Sequence, residues 1–120
     1  RPAVRLVALQ KDAQGQANIA QGKATAVTTR HEQEQVDQSA AIAYQNWFVA
    51  RPGSKDQAAA AGELKTMLVL TDRVDRLVAS SDKDVGLLEA GLDKQRADGA
   101  KSAAEDKLQA AYQHWKANDW

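Results

Sequence analysis

Small apolar residues recur in alternating steps of four and three along the first part of the sequence. They are Ala13, Ala17, Ala20, Ala24 and Val27. This heptad spacing places them on one face of an α-helix, where they form a seam against which another helix can pack. Alanine buries little apolar area, so the seam is weak and we expect it to need a partner helix.

Helical periodicity covers most of the 120 residues, and two short turn signals divide it. We predict helical segments over about 3–50, 54–79 and 82–117. The first boundary is Arg51-Pro52-Gly53, because proline disfavours helix at the preceding residue and glycine permits a turn. The second boundary is Ser80-Ser81.

The start of the second segment carries a capping signal. Ser54 and Gln57 have the spacing of a capping box, which satisfies amides that lack a partner at a helix N-terminus. Asp72 and Arg76, further along, have the i,i+4 spacing of a favourable surface ion pair.

The first segment leaves two alternatives open: one helix over 3–50, or two helices with a break within 21–30. Gly22 and the β-branched residues of 25–29 lower helix propensity. The apolar spacing also changes phase after His31 before it resumes at Val36. The fold we predict is therefore all-α, an antiparallel up-and-down helical bundle of three to four long helices in one domain, 1–120.

The segment 54–79 has the most apolar face, and we predict that it forms the centre of the core. Its apolar residues are Leu64, Met67, Leu68, Val69, Leu70, Val74, Leu77 and Val78. Aromatic residues make up only 5% of the chain, so this core must be thin.

A five-residue phrase occurs twice. Ala43-Tyr44-Gln45-Asn46-Trp47 returns as Ala111-Tyr112-Gln113-His114-Trp115. In a bundle of three or four antiparallel helices, the helices that end with these phrases point the same way. We therefore predict that Tyr44, Trp47, Tyr112 and Trp115 meet at one end of the bundle, where they close the core or form a surface for a partner or ligand.

Residues that carry chemistry are few. The chain has no cysteine and two histidines. His31 opens the first half of the zinc-protease pattern H-E-x-x-H, but Gln35 stands where the second histidine is needed. His114 and Met67 are not placed to share a haem, since antiparallel packing brings residues near 94 opposite Met67. We predict no catalytic residue, no metal site and no cofactor.

Charge excludes further classes of function. The 16 basic and 16 acidic residues balance, and the mild basic excess of residues 1–30 is spread out and lacks aromatic neighbours. Nucleic-acid binders carry a denser basic stripe, so we predict no nucleic-acid partner. No apolar run approaches the ~18 residues of a membrane span, so we predict no membrane insertion by these residues.

Two functional hypotheses remain. The first is a non-enzymatic helical interaction module, a scaffold, adaptor or assembly protein, that binds a protein partner or another copy of itself through the alanine-rich seam. The second is an extracytoplasmic ligand-sensing or ligand-binding bundle, cut from a membrane-tethered or exported parent. The start at Arg1 and the lack of cysteine slightly favour an exported or periplasmic location.

Overall fold

Two long helices make up the protein, of which a computed structural model describes residues 2–118. Helix α1 spans Pro2–Val49 and helix α2 spans Lys55–Asn118. The described residues contain no strand, which confirms the all-α class. The prediction of three to four helices is wrong, because the two helices form a hairpin with one turn.

The turn follows the predicted chemistry. Gly53 adopts a left-handed backbone conformation with φ +74°, which glycine tolerates because it has no Cβ. Ser54 Oγ accepts a hydrogen bond from the Gln57 amide at 3.1 Å, and Gln57 Oε1 accepts one from the Gly53 amide at 2.8 Å. These two bonds confirm Ser54 and Gln57 as the N-terminal cap of α2.

The proposed break within 21–30 is absent, since α1 runs through it. Side chains that were expected to interrupt the helix bond to it instead. The hydroxyls of Thr25, Thr28 and Thr29 donate to the carbonyl oxygens of Gln21, Ala24 and Ala26 at 3.2, 3.1 and 3.0 Å. A hydroxyl that bonds back to the preceding turn leaves no unpaired polar group and costs the helix little, so these threonines do not interrupt α1.

The predicted turn at Ser80-Ser81 is also wrong, because both serines lie within α2. Serine costs only a few tenths of a kcal/mol more than alanine in a helix, so two serines without glycine or proline do not end one. The helical spacing of less exposed residues continues across them, through Val78, Ser81 and Val85.

The chain divides into two compact units. One joins Arg1–Ile19 with Gly86–Trp120, and the other is Ala20–Val85. In Ala20–Val85, Arg30 Nη2 bonds to Asp82 Oδ2 at 2.6 Å and Gln33 Nε2 donates to Asp75 Oδ1 at 2.7 Å. These contacts pair α1 with α2 in antiparallel fashion across this unit.

The residues of α1 with reduced exposure follow one heptad pattern without a change of phase. They are Asp12, Gly15, Ile19, Gly22, Ala26, Thr29, Gln33, Val36, Ala40 and Ala43. The phase change predicted after His31 is wrong: the alanines counted before His31 are exposed, whereas the residues counted from Val36 onward belong to this pattern. Glycine, threonine and glutamine occupy positions of the real pattern, which hides it from a search for apolar residues.

Burial is sparse. The buried residues among 2–118 are Ala26, Ala43, Ala60, Val74 and Leu92. The predicted core segment is partly correct. Val74 is buried, and Leu64, Met67, Leu70 and Val78 are half-buried. Leu68, Val69 and Leu77 are exposed, because α1 alone covers one side of α2.

Candidate protein-interaction surfaces

The alanine-rich seam predicted for a partner lies on the outside of α1. Ala13 and Ala17 belong to the first unit, and Ala20, Ala24 and Val27 belong to Ala20–Val85. All five are exposed, and 68% of Val27 is accessible. The four alanines are on the side of α1 turned away from its less exposed residues. Val27 instead lines a shallow groove beside α2, together with Asp82 and Val85. Their role as a partner surface stays a prediction.

The first copy of the repeated phrase builds an aromatic cluster near the turn. The ring centroid of Tyr44 lies 6.1 Å from that of Trp47 and 6.4 Å from that of Phe48. These separations are typical of favourable aromatic pairs. Tyr44 is 55% exposed and Phe48 71% exposed, so the cluster presents apolar area to solvent.

A shallow apolar groove of about 450 Å³ adjoins this cluster in the same unit. Trp47 forms its α1 wall. The α2 wall comprises Ala61, Leu64, Lys65, Leu68, Val69 and Asp72. Leu68 and Val69 form the middle of that wall and are 56% and 55% exposed. Lys65 and Asp72 stand one helical turn to either side of them.

The second copy of the phrase lies in the other unit. Tyr112 and Trp115 are 6.0 Å apart between ring centroids and are 49% and 55% exposed. The prediction that both copies meet at one end depended on a reversal of the chain at Ser80-Ser81. That reversal is wrong, because α2 continues through both serines. Trp47 belongs to Ala20–Val85 and Trp115 to the unit that contains Gly86–Trp120.

A paired charge joins the two helices in the first unit. Arg96 Nε donates to Asp12 Oδ1 at 2.6 Å and Arg96 Nη2 donates to Asp12 Oδ2 at 3.2 Å. This two-point geometry matches the guanidinium fork to the carboxylate. The hydrogen bond from Arg96 holds the pKa of Asp12 below its ordinary value, against an opposing effect of desolvation.

Replacement of Arg96 by glutamine is expected to raise the pKa of Asp12 toward its ordinary value. The folded pKa of Asp12 is below the unfolded one, so this carboxylate stabilises the fold above about pH 4 and loses that effect as pH falls through the folded pKa. Carboxyl-carbon NMR titration measures the change. Arg30→Gln, which removes a cation from the other unit, is the control and should leave the Asp12 titration unaltered. An unchanged Asp12 pKa in Arg96→Gln contradicts the assignment.

Within 2–118, no three histidine, aspartate or glutamate side chains cluster as metal ligands do. Neither helix, over that same part of the chain, has a stretch long and apolar enough to cross a membrane.

From the sequence, Leu68 and Val69 are predicted to lie in the core, and the groove that they form is not predicted. Lys65, Leu68, Val69 and Asp72 follow an i, i+3, i+4, i+7 spacing, which places them on one face of α2. An apolar pair flanked by opposite charges at this spacing was the available signal. This pattern indicates an exposed face only when the number of helices is known, because a third helix in the same chain could cover it.

The fold and these surfaces define an all-α protein of two long helices whose exposed faces are rich in apolar side chains. Comparison with protein-family models, with curated proteins and with solved structures finds no match. The function is therefore argued from the residues of this chain.

Proposed function

We propose that this protein is a non-enzymatic interaction module, a scaffold, adaptor or assembly protein, whose exposed helix faces bind helices of other polypeptide chains. The accessible surface carries this proposal. The chain exposes 9550 Å², whereas a folded monomeric protein of 13.0 kDa exposes roughly 6,300 Å². The difference of about 3,200 Å² is surface that other proteins of this size bury.

The composition of the exposed surface supports the same proposal. Eighteen large apolar side chains among residues 2–118 are exposed, against the two buried ones larger than alanine, Val74 and Leu92. Scattered apolar residues are normal on a protein surface, whereas contiguous ones mark interaction sites. Here they cluster beside Trp47 and on the first turns of α1, at Val4, Leu6, Val7 and Leu9.

Partner binding through the outer seam of α1 is supported by the weakness of the inner contacts. Over residues 2–27 of α1, the one buried side chain is that of Ala26. A helix segment with so few buried contacts is poorly held by its own hairpin. The alanines of the outer seam let a second helix approach closely, which is how small side chains contribute to packing.

Hydrogen exchange with sedimentation tests the proposal. In a dilute chain without a partner, we expect amides of residues 3–27 to exchange much faster than those of 55–79, which serve as the internal control. A strict monomer in which residues 3–27 are as well protected as 55–79 contradicts the proposal, because such a chain needs no partner.

The alternative, a ligand-sensing bundle, has less support. Ligand sites bury most of a small molecule in a concave pocket. The groove beside Trp47 has a suitable volume of about 450 Å³, but its wall consists of half-buried and exposed side chains and is open to solvent. An open apolar wall fits a protein surface better than it fits a small molecule.

A further inference from the structure

We propose that the groove beside Trp47 binds a second copy of this chain, so that two hairpins associate through antiparallel α2 helices about a two-fold axis between Leu68 and Val69. The occupant would be the same segment of the partner, with its Leu68 and Val69 facing those of the first copy. This inference names the partner for one surface of the proposed interaction module and rests on that function.

The arrangement of charges around the groove is the first argument for a second copy. Lys65 and Asp72 line the groove and lie equally far, on opposite sides, from the midpoint between Leu68 and Val69. A two-fold interface requires that one patch complement itself. Antiparallel pairing about this midpoint places Lys65 of each copy opposite Asp72 of the other, so both charge pairs are attractive.

Apolar matching supports the same register. The midpoint falls between two adjacent exposed apolar residues, Leu68 and Val69. The same pairing therefore brings Leu68 of each copy against Val69 of the other copy. Trp47, with 36% of its surface exposed, forms the wall beside them. Polar bridges between the helices of this unit, Arg30 with Asp82 and Gln33 with Asp75, involve other residues than those of the groove.

The length of helix that can pair is the third argument. Pairing about the midpoint between Leu68 and Val69 places the first residue of α2 opposite residue 82 of the other copy. Residues 55–82 of the two α2 helices therefore overlap, over a length of ~40 Å, and in each copy all of them lie within the unit Ala20–Val85.

Charge reversal tests the register. Sedimentation of the full chain at micromolar concentration is expected to show a dimer. Lys65→Glu and Asp72→Lys each make both charge pairs repulsive and should each weaken dimerisation by about tenfold or more. An equimolar mixture of the two variants makes both pairs attractive again and should form a heterodimer. Lys83→Glu, the same charge change on α2 outside the groove, is the matched control and should dimerise like the unmodified chain.

Circular dichroism on the same samples monitors folding. Asp72 also pairs with Arg76 at 3.2 Å, but both side chains are more than half exposed, so the loss of this pair has little effect on the hairpin. If a variant unfolds when it is monomeric, mixing must restore both mass and helicity.

Three results would overturn the dimer. They are a monomer of the unmodified chain at these concentrations, a dimer that neither reversal weakens, and a mixture of the variants that stays monomeric. A monomer with fast exchange over 3–27 rejects the dimer and leaves the interaction module standing. A monomer with full protection over 3–27 rejects both.

Discussion

Ala43→Glu is expected to destabilise the hairpin by about 3 kcal/mol or more, because it places a charge at a buried position without a partner. Ala43 is 1% exposed, the lowest exposure among the buried residues. Ala111 holds the same place in the second copy of the repeated phrase and is exposed. Ala111→Glu is therefore a control with the same chemistry and similar sequence neighbours, and we expect it to change stability by at most about 0.5 kcal/mol.

Chemical denaturation of both variants measures the difference. Equal effects of the two substitutions would contradict the structure, since they would mean that Ala43 and Ala111 have the same environment. The comparison also tests how the two copies of the repeated phrase differ: the alanine of the first copy is buried, whereas that of the second is exposed.

Leu92→Ala is expected to destabilise the first unit by about 2–3 kcal/mol, through lost apolar burial and the cavity that remains. Leu92 is 6% exposed and is the largest of the buried side chains. Its Cδ1 atom lies 2.8 Å from the place that a Cβ atom on Gly15 would take, so Leu92 fills the hollow at that glycine. Leu87, on the same helix and in the same unit, is 62% exposed, and Leu87→Ala should have a much smaller effect.

Substitution of Gly15, on α1, checks the same contact, and substitution of Gly91, on α2, is its comparison. Gly91→Ala meets no atom within 4 Å and should stabilise α2 by about 0.5–1 kcal/mol, because alanine loses less backbone entropy in a helix. Gly15→Ala has the same entropic advantage, but its Cβ atom must displace the tip of the buried Leu92 side chain. It should therefore stabilise the protein less than Gly91→Ala does. Thermal unfolding compares the two, and an equal gain would mean that Leu92 does not occupy the hollow.

Local chemistry could be predicted where a few neighbouring residues decide the outcome. The cap formed by Ser54 and Gln57 and the turn at Gly53 follow from hydrogen bonding and backbone sterics within five residues. The ion pair of Asp72 and Arg76 follows from the geometry of one helical turn. The all-α class follows from periodicity that extends along the whole chain.

Errors arose where a weak local signal had to be weighed against the rest of the chain. Ser80 and Ser81 resemble a boundary in isolation, but they lie within a helix whose less exposed residues keep their spacing across them. Thr25, Thr28 and Thr29 have low helix propensity, but their hydroxyls find carbonyl partners one turn earlier. In each case the helix persists because the penalty is a fraction of a kcal/mol per residue.

The groove beside Trp47 could not be predicted from the sequence for a related reason. Leu68 and Val69 have the composition of a core, and a bundle of three or four helices within one chain would have buried them. Because the chain makes two helices, each helix has one neighbour, and the apolar residues of its other faces remain at the surface. The same residue pattern therefore indicates a core or an interface according to the helix count.

By itself the sequence determined that the chain is helical and that its first turn lies at Arg51-Pro52-Gly53, because backbone sterics and heptad spacing act over short distances. The tertiary structure decided which face of α1 packs inward. The alanine seam that begins at Ala13 is the more apolar face, but Gly15 accepts the side chain of Leu92 and Asp12 accepts the fork of Arg96. Each of these two contacts depends on a residue 77 or more positions away in the sequence. Neither contact can therefore be predicted from the residues that neighbour Gly15 or Asp12.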